Sequence, residues 1–301
     1  MKFLGQALDS LAQAKQPVGV AIEVLVVANA CTDGTAEMLT ALAEKKVLGG
    51  LPLRWVEEPT PGKSYALNRA VGETEAKALC FLDDDQFVDI SFLEAVADAL
   101  VAYPEYDIIC GKLNPAWDGT EPAWVHETGK YRIPIRPFPE YDFGDAPKEI
   151  TPGHKLPSGG NITVRRRAFD CAGGFSADLG PEGHNLLGGE DLEFLMRCLR
   201  HGLRIGYMPT ISQLHAIEQE RMSTIYMMRK SYLRSLSSVL MSTSHPGHMQ
   251  RYMVVKPLIY LFLSLLSACA GRRFYYLIRL SAASGELRGV LKRQFTRDGN
   301  T

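Results

Sequence analysis

Three consecutive aspartates, Asp83, Asp84 and Asp85, follow a short apolar run at residues 78–82. The run predicts a buried strand, and the carboxylates begin where that strand should end. Because side chains alternate along a strand, we expect Asp83 and Asp85 to point the same way and Asp84 across. Adjacent carboxylates repel, and Mg²⁺ or Mn²⁺, which prefers carboxylate and phosphate oxygens, would neutralise them. The triplet alone is as consistent with a metal site as with the solvated start of a loop.

A second acidic pair, Glu190 and Asp191, follows Gly188 and Gly189. The glycines predict a turn that a ligand can approach closely, and a helix is predicted from here to about His201. Backbone N–H groups and the macrodipole favour a carboxylate in a first helical turn, so such acids are common for structural reasons alone. A carboxylate placed there can also serve as a general base. The predicted apolar stripe of this helix consists of Leu192, Leu195, Met196 and Leu199.

Strand-like and helix-like segments alternate over the first two-thirds of the chain, which predicts an α/β layer architecture. Strands are predicted over residues 22–28, 53–56, 78–82 and 107–111, and helices over about 36–46, after 62–68 and over about 91–103. Gly159, Gly160 and Asn161 predict a loop that enters an edge strand. Residues 114–157 are rich in proline and aromatic residues, and we expect long loops there with a short helix near Trp124 to Tyr131.

The composition is that of a globular protein. With 301 residues, 46% of them hydrophobic and 22% charged, the chain can bury one large core, which excludes a disordered protein. None of its six cysteines forms a CxxC pair, so we expect neither a zinc site nor a disulfide framework. The N-terminus lacks a basic region followed by an apolar stretch, which predicts no signal peptide and a cytoplasmic location.

The net charge of −1 conceals an uneven distribution of charge along the chain. Residues 221–301 contain 13 basic and 2 acidic residues, and the rest of the chain contains 20 basic and 32 acidic residues. The tail, predicted to be helical, therefore suits an anionic partner. Residues 257–271 are uncharged and mostly apolar, and Arg272 and Arg273 follow, but a spanning helix needs roughly 20 apolar residues. Peripheral contact with the inner face of the cell membrane and a buried helix or dimer contact both fit.

Five segments occur in an order that resembles family 2 glycosyltransferases with the GT-A fold, over roughly residues 1–235. They are residues 29–35 (N-A-C-T-D-G-T), 61–68, 83–85, 159–161 and 189–191. The resemblance implies a Rossmann-like central mixed sheet flanked by helices, followed by a basic and apolar helical extension over residues 236–301. It also implies an inverting transfer of sugar from a nucleotide-sugar donor to a hydroxyl, with a divalent metal, Mn²⁺ or Mg²⁺. A glycan or lipid-linked acceptor used in cell-envelope polysaccharide synthesis would suit the tail, and no nucleic acid partner is expected.

The resemblance also implies roles for individual residues. The predicted donor-binding residues are Asp33, Lys63, Asp83 and Asp84. The predicted metal ligands are Asp85 and His215, although most isolated histidines are purely structural. The predicted residues of the acceptor or sugar pocket are Gly160, Asn161 and Glu190. Asp191 would be the base that deprotonates the acceptor hydroxyl.

One feature departs from the family pattern. Members normally begin with a strand that helps to bind the nucleotide, whereas this sequence starts at Met1 with a segment that resembles the helix after that strand. Either the start of the sequence is truncated or the base site is incomplete, and we therefore expect weak donor binding or none. Two alternatives stay open: a catalytically impaired relative that acts as a scaffold, and a sugar-phosphate nucleotidyltransferase. The second normally carries a glycine-rich basic loop after its first strand, and we find none.

Overall fold

The structure is a computed structural model that describes residues 2–44, 47–177, 189–241 and 250–298. The chain divides into two compact units. The first consists of Met1–Ala116 and Pro139–Ala216, and the second of Trp117–Phe138 and Ile217–Thr301. Our domain boundary after residue 235 stays a prediction. All residues predicted to do chemistry belong to the first unit.

The first unit is built from strands and helices that alternate along the chain. Its described strands are β1 (Val24–Asn29), β2 (Val47–Leu48), β3 (Leu51–Glu58), β4 (Ala78–Phe81), β5 (Gln86–Val88), β6 (Ile108–Pro115), β7 (Lys148–Ile150), β8 (Ile162–Arg165) and β9 (Ile205–His215). Its described helices are α1 (Lys2–Gln13), α2 (Thr35–Ala43), α3 (Lys63–Gly72), α4 (Phe92–Ala102), α5 (Arg166–Ala172) and α6 (Glu190–Arg200). A central mixed sheet flanked by helices confirms the predicted fold class.

The larger sheet has six strands in the order β4-β8-β6-β9-β5, with β7 paired to β9. Strands β6 and β9 are parallel, and the other pairs of this sheet are antiparallel. Our prediction of an edge strand after Asn161 was wrong, because β8 lies between β4 and β6. Ile162 and Val164 are fully buried there, as expected for a strand paired on both sides. The smaller sheet has the order β1-β3-β2.

An aromatic cluster fixes the side on which α6 packs. The rings of Phe175 and Phe194 lie 4.5 Å apart and those of Phe169 and Phe194 lie 5.3 Å apart. The predicted stripe was therefore wrong for Leu192 and Met196, which are 46% and 49% exposed. The helix instead buries the face of Phe194, Leu195 and Cys198. A buried phenyl ring removes more apolar area from water than a leucine or methionine side chain does, and a cysteine behaves as a small apolar residue.

The second unit is mostly helical, which confirms the helical tail. Its helices are α7 (Thr224–Met241), α8 (Arg251–Leu266) and α9 (Ala270–Asp298). Helices α7 and α9 approach closely at Gly285, where a Cβ would collide with the backbone carbonyl of Tyr232. A short 3₁₀ helix at Ala123–His126 lies where the loop region was predicted to contain a helix. Among the helices of the described segments, none is long and apolar enough to span a bilayer.

Candidate active site

Lys63 and Asp83 form an ion pair at the point where α3 begins and β4 has ended. Lys63 Nζ lies 2.5 Å from Asp83 Oδ1, and both side chains are partly exposed. Burial by itself lowers the pKa of Lys63, but the negative charges of Asp83, Asp191 and Glu190 outweigh burial and raise it above its usual range. The ammonium group is therefore firmly charged, and three predicted site acids lie within its electrostatic reach.

Asp85 and His215 form a second pair. The aspartate triplet occupies the turn between β4 and β5, so strand alternation does not set the directions of its side chains. Asp85 Oδ2 lies 3.2 Å from His215 Nε2, and the Asp85 carbonyl accepts a hydrogen bond from the backbone N–H of Ala216. Both side chains are shielded, with His215 almost fully buried. Asp84, between the two paired aspartates, is exposed.

The tautomer of His215 bears on what this pair can bind. His215 Nδ1 lies 2.7 Å from the carbonyl oxygen of Ala216, which can only accept, so the assigned proton is on Nδ1. On a neutral ring, Nε2 then directs its lone pair towards the Asp85 carboxylate. Two lone pairs at that separation repel unless a cation or a proton lies between them. The pair therefore has the chemistry of a site for a hard or borderline cation such as Mg²⁺ or Mn²⁺.

Two adjacent glycines lie against both Asp83 and Asp191. Gly159 and Gly160 precede β8, and a Cβ built on Gly160 would collide with Asp83 Oδ2 and lie 2.6 Å from Gln86 Nε2. The neighbouring Gly159 donates its N–H to Asp191 Oδ2 at 2.6 Å. Asp83 and Asp191 therefore lie against the same diglycine turn, although 108 positions separate them in the sequence. The absence of side chains on this turn is what allows both carboxylates to approach.

Glu190 and Asp191 occupy the first turn of α6, as predicted. The helix follows Gly189, whose φ of 141° is in the region that favours glycine. Asp191 is held by two N–H groups, from Gly159 at 2.6 Å and from Leu192 at 2.7 Å. Glu190 is only 3% exposed and accepts the N–H of Gly189 at 3.0 Å. Asp191 is thus an oriented carboxylate with part of its surface accessible, which is the arrangement that a general base needs.

Asp33 and Asn161 have different surroundings. Asp33 lies after β1, is exposed, and accepts a hydrogen bond of 2.5 Å from the Thr35 hydroxyl, which lowers the pKa of its carboxyl. The Asn161 amide is buried and bonded to the backbone of Gly111 in β6 through both its oxygen and its nitrogen. This contact ties the diglycine turn to the centre of the sheet. The pocket-lining role of Asn161 stays a prediction.

Gln86 is a site residue that the sequence reasoning missed. It is 1% exposed, and its Oε1 accepts the backbone N–H of Asp83 at 3.3 Å. Its Nε2 is buried beside Gly160 and has no hydrogen-bond partner among the described residues. Gln86 therefore braces both the aspartate turn and the diglycine turn. The available signal was a polar residue directly after the triplet, at a position that pairs with His215.

Gly160→Ala is expected to lower turnover by about tenfold or more, because the new methyl group displaces the Asp83 carboxylate or Gln86 and misplaces the site by up to about 1 Å. The measurement is the rate of nucleotide release from a sugar donor. Gly72→Ala is the matched control, since a Cβ on Gly72 meets nothing within 4 Å. Equal rates for both variants would contradict the account of the diglycine turn.

Glu190→Gln is expected to raise the melting temperature at neutral and alkaline pH. Burial first, and the charge of Asp191 second, raise the pKa of Glu190. A raised pKa in the folded state means that the native protein binds the proton more tightly, so stability falls as pH rises through that pKa. Glutamine carries no charge, so the variant avoids the free energy that the folded protein loses by burying an ionised Glu190 beside Asp191. Each kcal/mol gained in the free energy of unfolding raises the melting temperature by about 2–4 °C in a domain of this size.

The measurement is the melting temperature of both proteins between about pH 4 and about pH 8. The difference should shrink as the pH falls, because native Glu190 then takes up its proton. A difference that is independent of pH, or that grows in acid, would contradict this interpretation.

The comparisons with known proteins identify the family and the fold of the chain. The family model for Glycosyl transferase family 2 matches residues 1–173, more than half of the chain. No curated protein matches the chain at a significant level. At the low identities of the solved structures that follow, the similarity shows a shared fold, and these neighbours have the GT-A fold.

Mannosyltransferase PcManGT from Pyrobaculum calidifontis, in complex with GDP-Man and Mn²⁺, is 17% identical with a TM-score of 0.57, and the match covers 98% of this chain and 83% of that one. TarS 1–349 from S. aureus in complex with UDP is 16% identical with a TM-score of 0.52, over 100% and 88% of the two chains. TarS 1–349 with UDP-GlcNAc is 17% identical with a TM-score of 0.50, over 100% and 89%.

Proposed function

The chain belongs to glycosyl transferase family 2, and from that premise we propose that it moves a sugar from a nucleotide-sugar donor to a hydroxyl acceptor, with inversion and with a divalent metal. The observation that carries the proposal is the placement of Asp83 and Asp191 against one diglycine turn, with Lys63 in the field of both. A cation, a donor-side carboxylate and an oriented base are the groups that such a transfer requires.

The proposed reaction assigns Asp191 the role of general base. Asp191 takes the proton from the acceptor hydroxyl while the acceptor oxygen attacks the anomeric carbon. The bond between that carbon and the diphosphate oxygen breaks, and the electron pair leaves with the nucleoside diphosphate. Attack from the face opposite the leaving group inverts the anomeric centre. The charged ammonium of Lys63 would lie on the diphosphate side, where negative charge grows.

Asp85 and His215 would hold the metal. Their carboxylate and imidazole atoms fit Mn²⁺ or Mg²⁺, and no group of three or more acidic, histidine or cysteine side chains in the described residues is arranged as a complete metal site. Two protein ligands suit a cation that is completed by the oxygens of a substrate diphosphate. When bound, such an ion stabilises the negative charge of the leaving group.

The acceptor in this proposal is a lipid-linked sugar or a growing polysaccharide of the cell envelope. The composition of the tail supports this acceptor, because residues 221–301 contain 13 basic and 2 acidic residues. Such a tail suits an anionic surface, and the proposed location is the inner face of the cell membrane, with peripheral contact through the tail.

Nucleotide release from a panel of donors tests the proposal. The protein is incubated with Mn²⁺ and UDP-, GDP- and dTDP-sugars, with and without polyprenyl-phosphate-linked and oligosaccharide acceptors, and free nucleotide is measured. We include UDP and GDP donors because TarS and PcManGT were solved with UDP, UDP-GlcNAc and GDP-Man. The proposal predicts release with one donor that chelation of the metal abolishes. If none of the donors releases its nucleotide, the scaffold alternative is favoured instead.

A further inference from the structure

Helix α8 exposes an apolar half to solvent. Its large exposed apolar side chains are Tyr252, Val254, Val255, Leu258, Ile259, Leu261, Phe262, Leu265 and Leu266, and Leu258, Phe262 and Leu265 are 62%, 61% and 75% exposed. At 100° per residue these positions fall within about half of the helix circumference. No charged residue lies between Lys256 and Arg272. The exposed half is therefore a continuous apolar surface.

The other half of α8 packs inward and carries the polar contacts. Met253 and Ser264 are buried, and Lys256 Nζ lies 2.9 Å from Glu286 Oε2 of α9. A surface helix in water normally directs its apolar stripe to the core and its polar side chains outward. Helix α8 has the opposite arrangement. Soluble proteins rarely expose a contiguous apolar patch of this kind unless it contacts a membrane or another protein.

An apolar groove adjoins this surface. It has a volume of about 590 Å³ and lies between α7, α8 and α9. Val254 and Leu258 belong to both the groove and the exposed half of α8, and Leu287 and Leu291 line its other side. Arg288, which is exposed, lies among the lining residues. A groove with apolar walls and one guanidinium has the chemistry to accept an acyl chain beside a phosphate group.

The charge around α8 indicates whether its apolar half contacts a second copy of the chain or a lipid bilayer. The sequence has no acidic residue between residues 221 and 285, and the exposed Arg251 and Arg273 precede and follow the apolar segment in the sequence. A second copy of the chain would bring two basic surfaces together, which repel. An anionic bilayer would attract each basic residue and would also bury the apolar side chains.

We propose that α8 binds flat on an anionic lipid bilayer, with the exposed apolar half among the acyl chains and the flanking arginines at the headgroups. The inference rests on the peripheral membrane contact of the proposed function and assigns it to a defined surface. A helix of 16 residues is too short to span a bilayer, and one that lies in the interface needs only an apolar face.

Sedimentation of the full chain with vesicles tests this surface. Vesicles of phosphatidylcholine are compared with vesicles that also contain phosphatidylglycerol, and the bound fraction is measured by centrifugation. The double variant Leu258→Ser/Phe262→Ser is expected to lose about tenfold or more in affinity for the anionic vesicles, because two large apolar side chains no longer insert. Arg251→Gln/Arg273→Gln is expected to lose the preference for anionic vesicles.

The matched control is Val101→Ser/Ile225→Ser, which removes two apolar side chains on α4 and α7. They are more exposed than Leu258 and Phe262, at 78% and 81%, and the variant should bind as the wild type does. Wild-type protein that stays in the supernatant, or a Leu258→Ser/Phe262→Ser variant that binds fully, would overturn the proposal. So would a dimer in solution that this variant dissociates without any vesicle binding.

Donor turnover measured without vesicles separates this inference from the proposed function. A Leu258→Ser/Phe262→Ser variant that releases nucleotide normally but no longer sediments with vesicles would support the surface and leave the chemistry intact. A protein that binds vesicles through α8 and turns over no donor would support the surface and contradict the transferase proposal.

Discussion

Asp85→Ala is expected to lower metal-dependent turnover by about 100- to 1000-fold, because the substitution removes a ligand of the ion that stabilises the leaving diphosphate. The residual rate should respond weakly to added Mn²⁺. His215 lies 3.2 Å from Asp85, so His215→Ala is expected to raise the Mn²⁺ concentration needed for half-maximal turnover. The measurement is nucleotide release as a function of Mn²⁺ concentration.

Asp98→Ala is the matched control for this prediction, since Asp98 is an exposed acid on α4 and is not one of the predicted site residues. Its rate and its dependence on Mn²⁺ should equal those of the wild type. An Asp85→Ala variant with wild-type dependence on Mn²⁺ would show that the metal binds elsewhere.

Asp191→Asn is expected to lower kcat by about 100- to 10,000-fold while the KM for the donor changes little. Asparagine keeps an oxygen that can accept the N–H of Gly159, which lies 2.6 Å from Asp191 Oδ2, so the diglycine turn should keep its place. What is lost is the ability to take a proton from the acceptor, together with the hydrogen bond that Asp191 Oδ1 accepts from the Leu192 N–H. The measurement is steady-state kinetics with the donor varied at a fixed acceptor concentration.

The matched control is Asp170→Asn, the same change at an exposed position on α5. This variant should have wild-type kinetics. If Asp191→Asn instead raised the KM for the donor and left kcat unchanged, Asp191 would bind the donor, and the general base would have to be another group.

The sequence predicted the site features that depend on local patterns. The aspartate triplet follows β4 because an apolar run and the charges that end it are adjacent in the chain. Glu190 and Asp191 lie in the first turn of α6 because glycine followed by acidic residues favours a helix start. Both features lie within short stretches of consecutive residues, where local propensity and hydrophobic periodicity are informative.

The predictions that were wrong concern features that depend on contacts between residues remote in the sequence. Strand β8 was predicted at an edge because its neighbours β4 and β6 are remote in sequence, and only their hydrogen bonds make it internal. Two overlapping stripes were available on α6, and the aromatic cluster with Phe169 and Phe175, not the helix itself, selected the stripe with Phe194. Gln86 was missed for the same reason. It lies against Gly160, which precedes β8 and is remote from Gln86 in the sequence.

Calorimetric titration of the protein with UDP and with GDP, in the presence and absence of Mn²⁺, tests most directly whether one cleft holds a nucleotide, a metal and a base. The account predicts that Mn²⁺ tightens binding of one nucleotide, that Asp85→Ala removes this gain, and that Asp191→Asn preserves it. Nucleotide binding that is indifferent to Mn²⁺ in the wild type, or unchanged by Asp85→Ala, would contradict it.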